Sequence, residues 1–142
     1  MIVFTNGCFD ILHKGHVELL EYAYDVSIEN YPHGAGILIV GLNSDKSIKK
    51  LKGKDRPINN QNDRKYLLES IKWVDEVIIF GEQTPYNLIK KVKPDVIVKG
   101  GDYDGSVTDK NDPKYVVGSD LATVKIFNTI AGYSTTNTLA RM

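Results

Sequence analysis

His13 and His16 stand three residues apart in "TNGCFDILHKGH", in a 142-residue chain with three histidines in all. Just ahead of them lies Asn6-Gly7, a pair that permits a sharp turn, so successive backbone N–H groups can face one concavity and hold anionic oxygens. At a helix start, side chains at i and i+3 share a face. Unpaired N–H groups and the helix dipole there attract phosphate. Two imidazoles so placed can donate hydrogen bonds to one phosphoryl group, and Gly15 between them lets a ligand approach the backbone. A lone histidine at such a position is most often a packing residue. The pairing, beside Lys14 and after a glycine turn, points instead to an anion site. Zinc needs three or four ligands, and Cys8 and His33 fall in no recognisable spacing with the pair.

The elements that must carry this pair can be read from the patterning. "MIVFT" is a short β-forming run, and "HVELLEYAYDVSI" places Val17, Leu20, Ala23, Tyr24 and Ser27 near helical spacing. "GILIVGL", "DEVIIF" and "KPDVIVKGG" are continuous apolar runs of strand length, and "ATVKIFN" is a last strand. Between them, "SDKSIKKLK" has Ser44 as a predicted N-cap, and "NQNDRKYLLESIKW" is a second helical stretch. "TPYNLIKKV" reads as a helix with Thr84 as cap and Pro85 at the first helical position. "STTNTLARM" reads as a terminal helix capped by Ser134. Strands alternating with helices predict an α/β fold: a single doubly wound, Rossmann-like domain over residues 1–142, with about five parallel strands and helices on both faces. Ligands of such sheets lie beyond the carboxyl ends of the strands. "TNGCFDILHKGH", "KGGDYD" and "TIAGYSTT" all fall at those ends.

Composition narrows the partners. Eighteen acidic and eighteen basic residues balance to zero net charge, against the basic excess of a dedicated nucleic-acid binder. No stretch approaches the ~20 apolar residues of a membrane span, and "MIVFTNG" has no basic n-region of a secretory signal. One cysteine precludes an intrachain disulfide and suits a reducing compartment. The expectation is a cytoplasmic protein that binds neither nucleic acid nor membrane.

"GCFDILHKGH" resembles the H-x-G-H signature of the cytidylyltransferase-like nucleotidyltransferases. "GLNSDKSIKKLKGKDRPINN", "WVDEVIIF", "PDVIVKGGDY" and "GYSTTNTL" extend the resemblance over nearly the whole chain. It is nearest to the adenylyltransferase domain of bifunctional heptose-phosphate kinase/adenylyltransferases, and next to glycerol-3-phosphate cytidylyltransferases. No Arg or Lys lies between Asn128 and Ser134, where the glycerol phosphate enzymes carry an arginine.

The resemblance implies direct transfer. An acceptor phosphate oxygen attacks the α-phosphorus of a nucleoside triphosphate, and pyrophosphate leaves. It implies catalytic roles for His13 and His16 at the α-phosphate, and for Lys52 of the basic run Lys49, Lys50, Lys52, Lys54, Arg56 at the departing phosphates. Thr5, Asn6, Gly7, Cys8, Phe9 and Gly15 would support the nucleotide, with Cys8 a small turn residue rather than a nucleophile. Gly100 and Gly101 would open the backbone to the nucleotide, Asp102 would accept from ribose hydroxyls, and Lys99 would face nucleotide or acceptor. Ser134, Thr135 and Thr136 would donate to the β- and γ-phosphates. Mg²⁺ is expected with the triphosphate rather than in a protein cage, Asp10 is expected either to organise the turn or to touch a solvent-bound metal, and Arg64 to brace the structure or an interface. The expected reaction is adenylyl transfer to a sugar phosphate such as heptose 1-phosphate, by a stand-alone transferase without a kinase half. CTP-dependent transfer to glycerol 3-phosphate and a non-catalytic nucleotide-binding domain are the alternatives. A homodimer is expected, with Trp73 a candidate interface aromatic.

Overall fold

The apolar runs become β1 (Ile2–Gly7), β2 (Ile37–Asn43), β3 (Glu76–Phe80), β4 (Val96–Gly100) and β5 (Thr123–Phe127). In a computed structural model that describes residues 1–29 and 36–128, they form one parallel sheet in the order β3-β2-β1-β4-β5. Four helices connect them: α1 (Lys14–Ile28), α2 (Asp45–Lys52), α3 (Gln61–Glu69) and α4 (Tyr86–Val92). The chain winds outward from β1 through β2 to β3, then returns to the other flank of β1 as β4. That reversal leaves a crevice at the carboxyl ends of β1 and β4.

Alternation along the strands builds two cores. Val3, Leu38, Val40, Val96 and Val98 face Leu20, Ala23 and Leu68 of α1 and α3. Phe4, Ile39 and Ile97 face Ile89 of α4 and Val116 of the segment before β5. Each fully buried side chain of this kind contributes about 1.5–3 kcal/mol, so the sheet is held from both faces. The predicted doubly wound α/β architecture is what forms.

Two helix ends differ from the reading of the sequence. The second helical stretch was expected to run to Trp73, yet α3 stops at Glu69. Ser70 ends it: its hydroxyl donates to the Tyr66 carbonyl at 2.8 Å, and its amide donates to the Tyr66 and Leu67 carbonyls. Trp73 then lies half-buried in the turn before β3, with the Lys72 ammonium 4.9 Å from its ring centre. Thr84 was expected to cap α4, but Pro85 occupies the cap and no side chain bonds there. With the helix opening at Tyr86, Thr84 stands one residue too early to reach the free amides. Ser44 caps α2 as expected, its hydroxyl accepting from the Ser47 amide at 3.1 Å.

What aligns the strand ends is Arg64, fully buried on α3. Its Nη1 donates to the carbonyls of Cys8 and Asn43, both at 2.8 Å, tying the loop after β1 to the end of β2. Its Nε donates to the Asn59 carbonyl at 2.9 Å, and its Nη2 to Asp45 Oδ1 at 2.8 Å. A planar fork meets four acceptors that an ammonium could not reach together. Arg64→Met should cost about 3 kcal/mol or more, because buried carbonyls and Asp45 lose their donor. Denaturant unfolding checks it, and Arg64→Lys should recover only part of the loss.

Candidate active site

Beyond β1 the chain turns sharply through Cys8 and Phe9. Phe9 has φ 45°, the left-handed region, which costs a non-glycine residue about 1–2 kcal/mol. Packing holds it there: the ring is buried and meets His16 edge-on, centres 5.2 Å apart. A Cβ on Gly7 would stand 3.1 Å from that ring, so glycine leaves the room the ring occupies.

His13 is the N-cap of α1 and His16 its third residue. His13 Nδ1 accepts from the His16 amide and His16 Nδ1 accepts from the His13 amide, each at 3.4 Å. This is a capping box made of imidazoles. The rings stack with centres 3.8 Å apart. With Nδ1 accepting, the proton of neutral His16 resides on Nε2, which can donate. Burial, then the charges of His13 and Lys52, lowers the His16 pKa to about 4. At neutral pH it is an uncharged donor, not a cation.

A cavity of about 240 Å³ opens beside this pair at the ends of β1 and β4. Thr5, Asn6, Gly7, Cys8, Phe9 and His16 line one side; Lys99, Gly100, Gly101 and Tyr103 line the other. Six residues expected at the N-terminal motif and three at the second strand end thus converge. Thr5 Oγ1 is buried with no hydrogen-bond partner among the described residues. Lys99 Nζ approaches Asn6 Oδ1 at 3.4 Å and lies 4.7 Å from the Tyr103 ring centre. Desolvation lowers its ammonium to about 8, against a small opposing pull from Cys8. Burial pushes the Cys8 thiol up, while Lys52 and Arg64 pull it down less strongly. It remains a thiol, in keeping with a turn residue rather than a nucleophile.

Asp10 organises the loop that follows α2. Its carboxylate accepts from Arg56 Nε and from the amides of Ile58 and Asn59, all at 2.9 Å. Burial alone would raise its pKa; the Asn59 and Ile58 amides and the Arg56 guanidinium outweigh that and hold it low. Lys52 is exposed at the end of α2, with its charge bearing on both Cys8 and His16. Gly15 is buried in the first turn of α1, and neither it nor the exposed Asp102 lines the cavity. Ser134, Thr135 and Thr136 lie outside the described residues. Tyr103, inside the quoted "KGGDYD", was not singled out from the sequence; an aromatic two residues beyond paired glycines was the available signal. A larger cavity, about 520 Å³ between β3 and α4, is lined by none of the site residues singled out from the sequence.

Residues 4–137 match the family described as Cytidylyltransferase-like. The chain belongs to that family. Its curated relatives include the "Bifunctional protein HldE" of Aliarcobacter butzleri, 54% identical over 142 residues, covering 99% of this chain and 26% of the relative. The protein of that name from Nitratiruptor sp. is 55% identical, covering 99% of this chain and 27% of its own length. The chain therefore spans about a quarter of the length of these relatives. Among solved structures, a lipopolysaccharide core biosynthesis protein from Thermoplasma volcanium superposes with TM-score 0.64 at 31% identity, over 92% of this chain and 96% of that one. The cytidylyltransferase-like family is one of nucleotidyltransferases, and in this chain His16, the glycine turn after β1 and the two glycines at the end of β4 line one cavity.

The depressed His16 pKa sets a direction for stability. The unfolded chain takes up this proton near pH 6.5 and the folded one only near pH 4, so stability falls as pH drops through that window. Replacing His16 by Gln should flatten that acid limb, measured as midpoint temperature against pH from 7 to 4. An unchanged slope would show that the proton is taken up elsewhere.

Proposed function

We propose that this domain transfers a nucleoside monophosphate, adenylyl by preference, from a triphosphate to a sugar phosphate such as heptose 1-phosphate, with release of pyrophosphate. The observation that carries the reading is the stacked His13–His16 pair at the start of α1, beside a cavity floored by Gly7, Gly100 and Gly101. The likeness of "KGGDY" and "GYSTT" to heptose-type adenylyltransferase domains supports the acceptor. So do the names of the relatives, bifunctional proteins and a lipopolysaccharide core biosynthesis protein. The product would be an activated sugar for glycan assembly.

The chemistry asks little of the protein beyond placement and charge. The acceptor's phosphate oxygen is already anionic, so no base is needed. As it bonds to the α-phosphorus, the bond to the bridging oxygen breaks and pyrophosphate leaves with the electron pair. Imidazole N–H groups and the α1 dipole stabilise the added charge on the α-phosphate oxygens. Lys52, on the last turn of α2, neutralises the departing pyrophosphate. Mg²⁺ enters as part of the substrate, MgATP. Among the described residues no three His, Cys, Asp or Glu side chains gather to hold an ion, and the oxygens of Asp10 are engaged by Arg56, Ile58 and Asn59. Among those residues no helix is long and apolar enough to cross a membrane. The reading also takes the working form as a homodimer, which sedimentation at micromolar concentration tests against a 15.9 kDa species.

Incubation with Mg²⁺, each nucleoside triphosphate and a panel of sugar and polyol phosphates should release pyrophosphate, most rapidly with ATP and a sugar 1-phosphate. His13→Ala and His16→Ala should each lower kcat on the order of 10²-fold or more, whereas Cys8→Ser should stay within a few-fold of the parent. Preference for CTP and glycerol 3-phosphate would reassign base and acceptor. Absence of pyrophosphate with every pair would overturn the reading.

A further inference from the structure

Lys99, the last side chain on β4, is a cation without an anionic partner among the described residues: it takes no part in their four ion pairs. A second cavity of about 240 Å³ adjoins the first, and the two share Asn6, Lys99 and Tyr103. Among the described residues lining either one, Cys8, His16, Tyr103 and Tyr115 can titrate beside Lys99, and none is a carboxylate. What faces the ammonium is uncharged: the Asn6 amide oxygen from β1 at 3.4 Å and the Tyr103 ring, its centre at 4.7 Å. A desolvated cation without a counter-charge is costly. Its place where two cavities join points to an anion that arrives from solvent.

The backbone beyond β4 is shaped to bring Tyr103 back over Lys99. Gly101 takes φ 81°, and a Cβ there would meet nothing within 4 Å, so glycine serves the left-handed turn and not a lack of room. Its amide donates to the Phe127 carbonyl at 3.2 Å, tying the turn to the end of β5. On the far side, the Asp104 amide donates to the Lys114 carbonyl at 2.9 Å, and its carboxylate accepts from the Ser106 amide and hydroxyl. Tyr103 is thus held between two pinned neighbours, although 39% of it is exposed. Its ring belongs to neither core and lies against the ammonium instead. The negative face of the ring attracts the cation, and its bulk keeps water from that side.

We propose that Tyr103 is a positioning residue whose ring, together with the Asn6 amide, holds the Lys99 ammonium dehydrated and aimed for a substrate phosphate. The assignment rests on the nucleotidyl-transfer reading, and adds how the site keeps a cation waiting with no protein carboxylate for the phosphate to displace. The ring does this; the phenol hydroxyl is not needed. An ammonium fixed in this way gives up little further water or rotamer freedom when the phosphate arrives. The consequence is a cation that surrenders its proton just above neutral pH, since burial lowers it to about 8 against the pull of Cys8. His16, across the first cavity, titrates at about 4, and burial pushes the Cys8 thiol up, so neither shares that window.

Tyr103→Phe and Tyr103→Ala separate the ring from the hydroxyl, and neither removes core packing. In the parent, kcat/KM should fall on the alkaline side with a midpoint at about 8. Tyr103→Phe should keep both rate and midpoint. Tyr103→Ala should lower kcat/KM at pH 7 by about tenfold, through loss of the cation–π contact and of the preset geometry. It should also move the alkaline limb up by about one unit, because water returns to the ammonium. Independently of turnover, NMR of the ¹³C-labelled Lys99 ε-methylene, assigned by its absence in Lys99→Met, should give the same midpoints. Should the parent release no pyrophosphate with any substrate pair, the transfer reading fails, and this titration alone decides whether the ring holds the ammonium. A parent midpoint near the ordinary 10.5, or the same midpoint in Tyr103→Ala as in the parent, would overturn the proposal. A loss of rate in Tyr103→Phe equal to that in Tyr103→Ala would overturn it as well.

Discussion

The site depends on a buried guanidinium. Arg64 lies out of solvent on α3 and spends its donors on the carbonyls of Cys8, Asn43 and Asn59 and on the Asp45 carboxylate. Those acceptors belong to the loop after β1, the end of β2, the loop before α3 and the start of α2. The three carbonyls take a donor from the guanidinium, and an unpaired buried carbonyl is costly. A desolvated charge is costly too, and is retained only where its hydrogen bonds are complete. Here the two requirements satisfy one another. Asp10 repeats the arrangement with the sign reversed, one buried carboxylate gathering Arg56 and the amides of Ile58 and Asn59. Between them, these two charges hold the histidine-bearing loop to the segment that follows the basic helix.

Upon that frame the histidines need little more than a helix start. Their reciprocal Nδ1 contacts consume the acceptor side of each ring and leave the Nε2 side as the donor side. A neutral imidazole held this way can stabilise a developing negative charge without exchanging a proton. This suits a reaction whose nucleophile, a phosphate oxygen, arrives ionised. The strained Phe9 and the absent side chain at Gly7 belong to the same economy of space: the ring fixes His16, and glycine makes room for the ring.

Much of this was legible in the residues. The five apolar runs became the five strands, because continuous apolar stretches in a chain alternating with helices have few other places to go. The N-terminal motif and the glycines of β4 converge because both lie at carboxyl ends of adjacent parallel strands. Arg64 was readable as a brace, but its four acceptors come from four segments that only the fold assembles. The end of α3 escaped because Ser70 competes for carbonyls that helical periodicity alone would continue to use. Thr84 failed as a cap because proline at the following position took the cap itself.

The central claim is a single displacement at the α-phosphorus, steered by the stacked histidine pair with no covalent stage on the protein. The stereochemical course tests it most directly. With a triphosphate made chiral at the α-phosphorus by sulfur substitution, transfer to the acceptor should invert configuration at phosphorus. Net retention would contradict the account, because it requires a second displacement and hence a nucleotidylated residue in a site built only to hold charge.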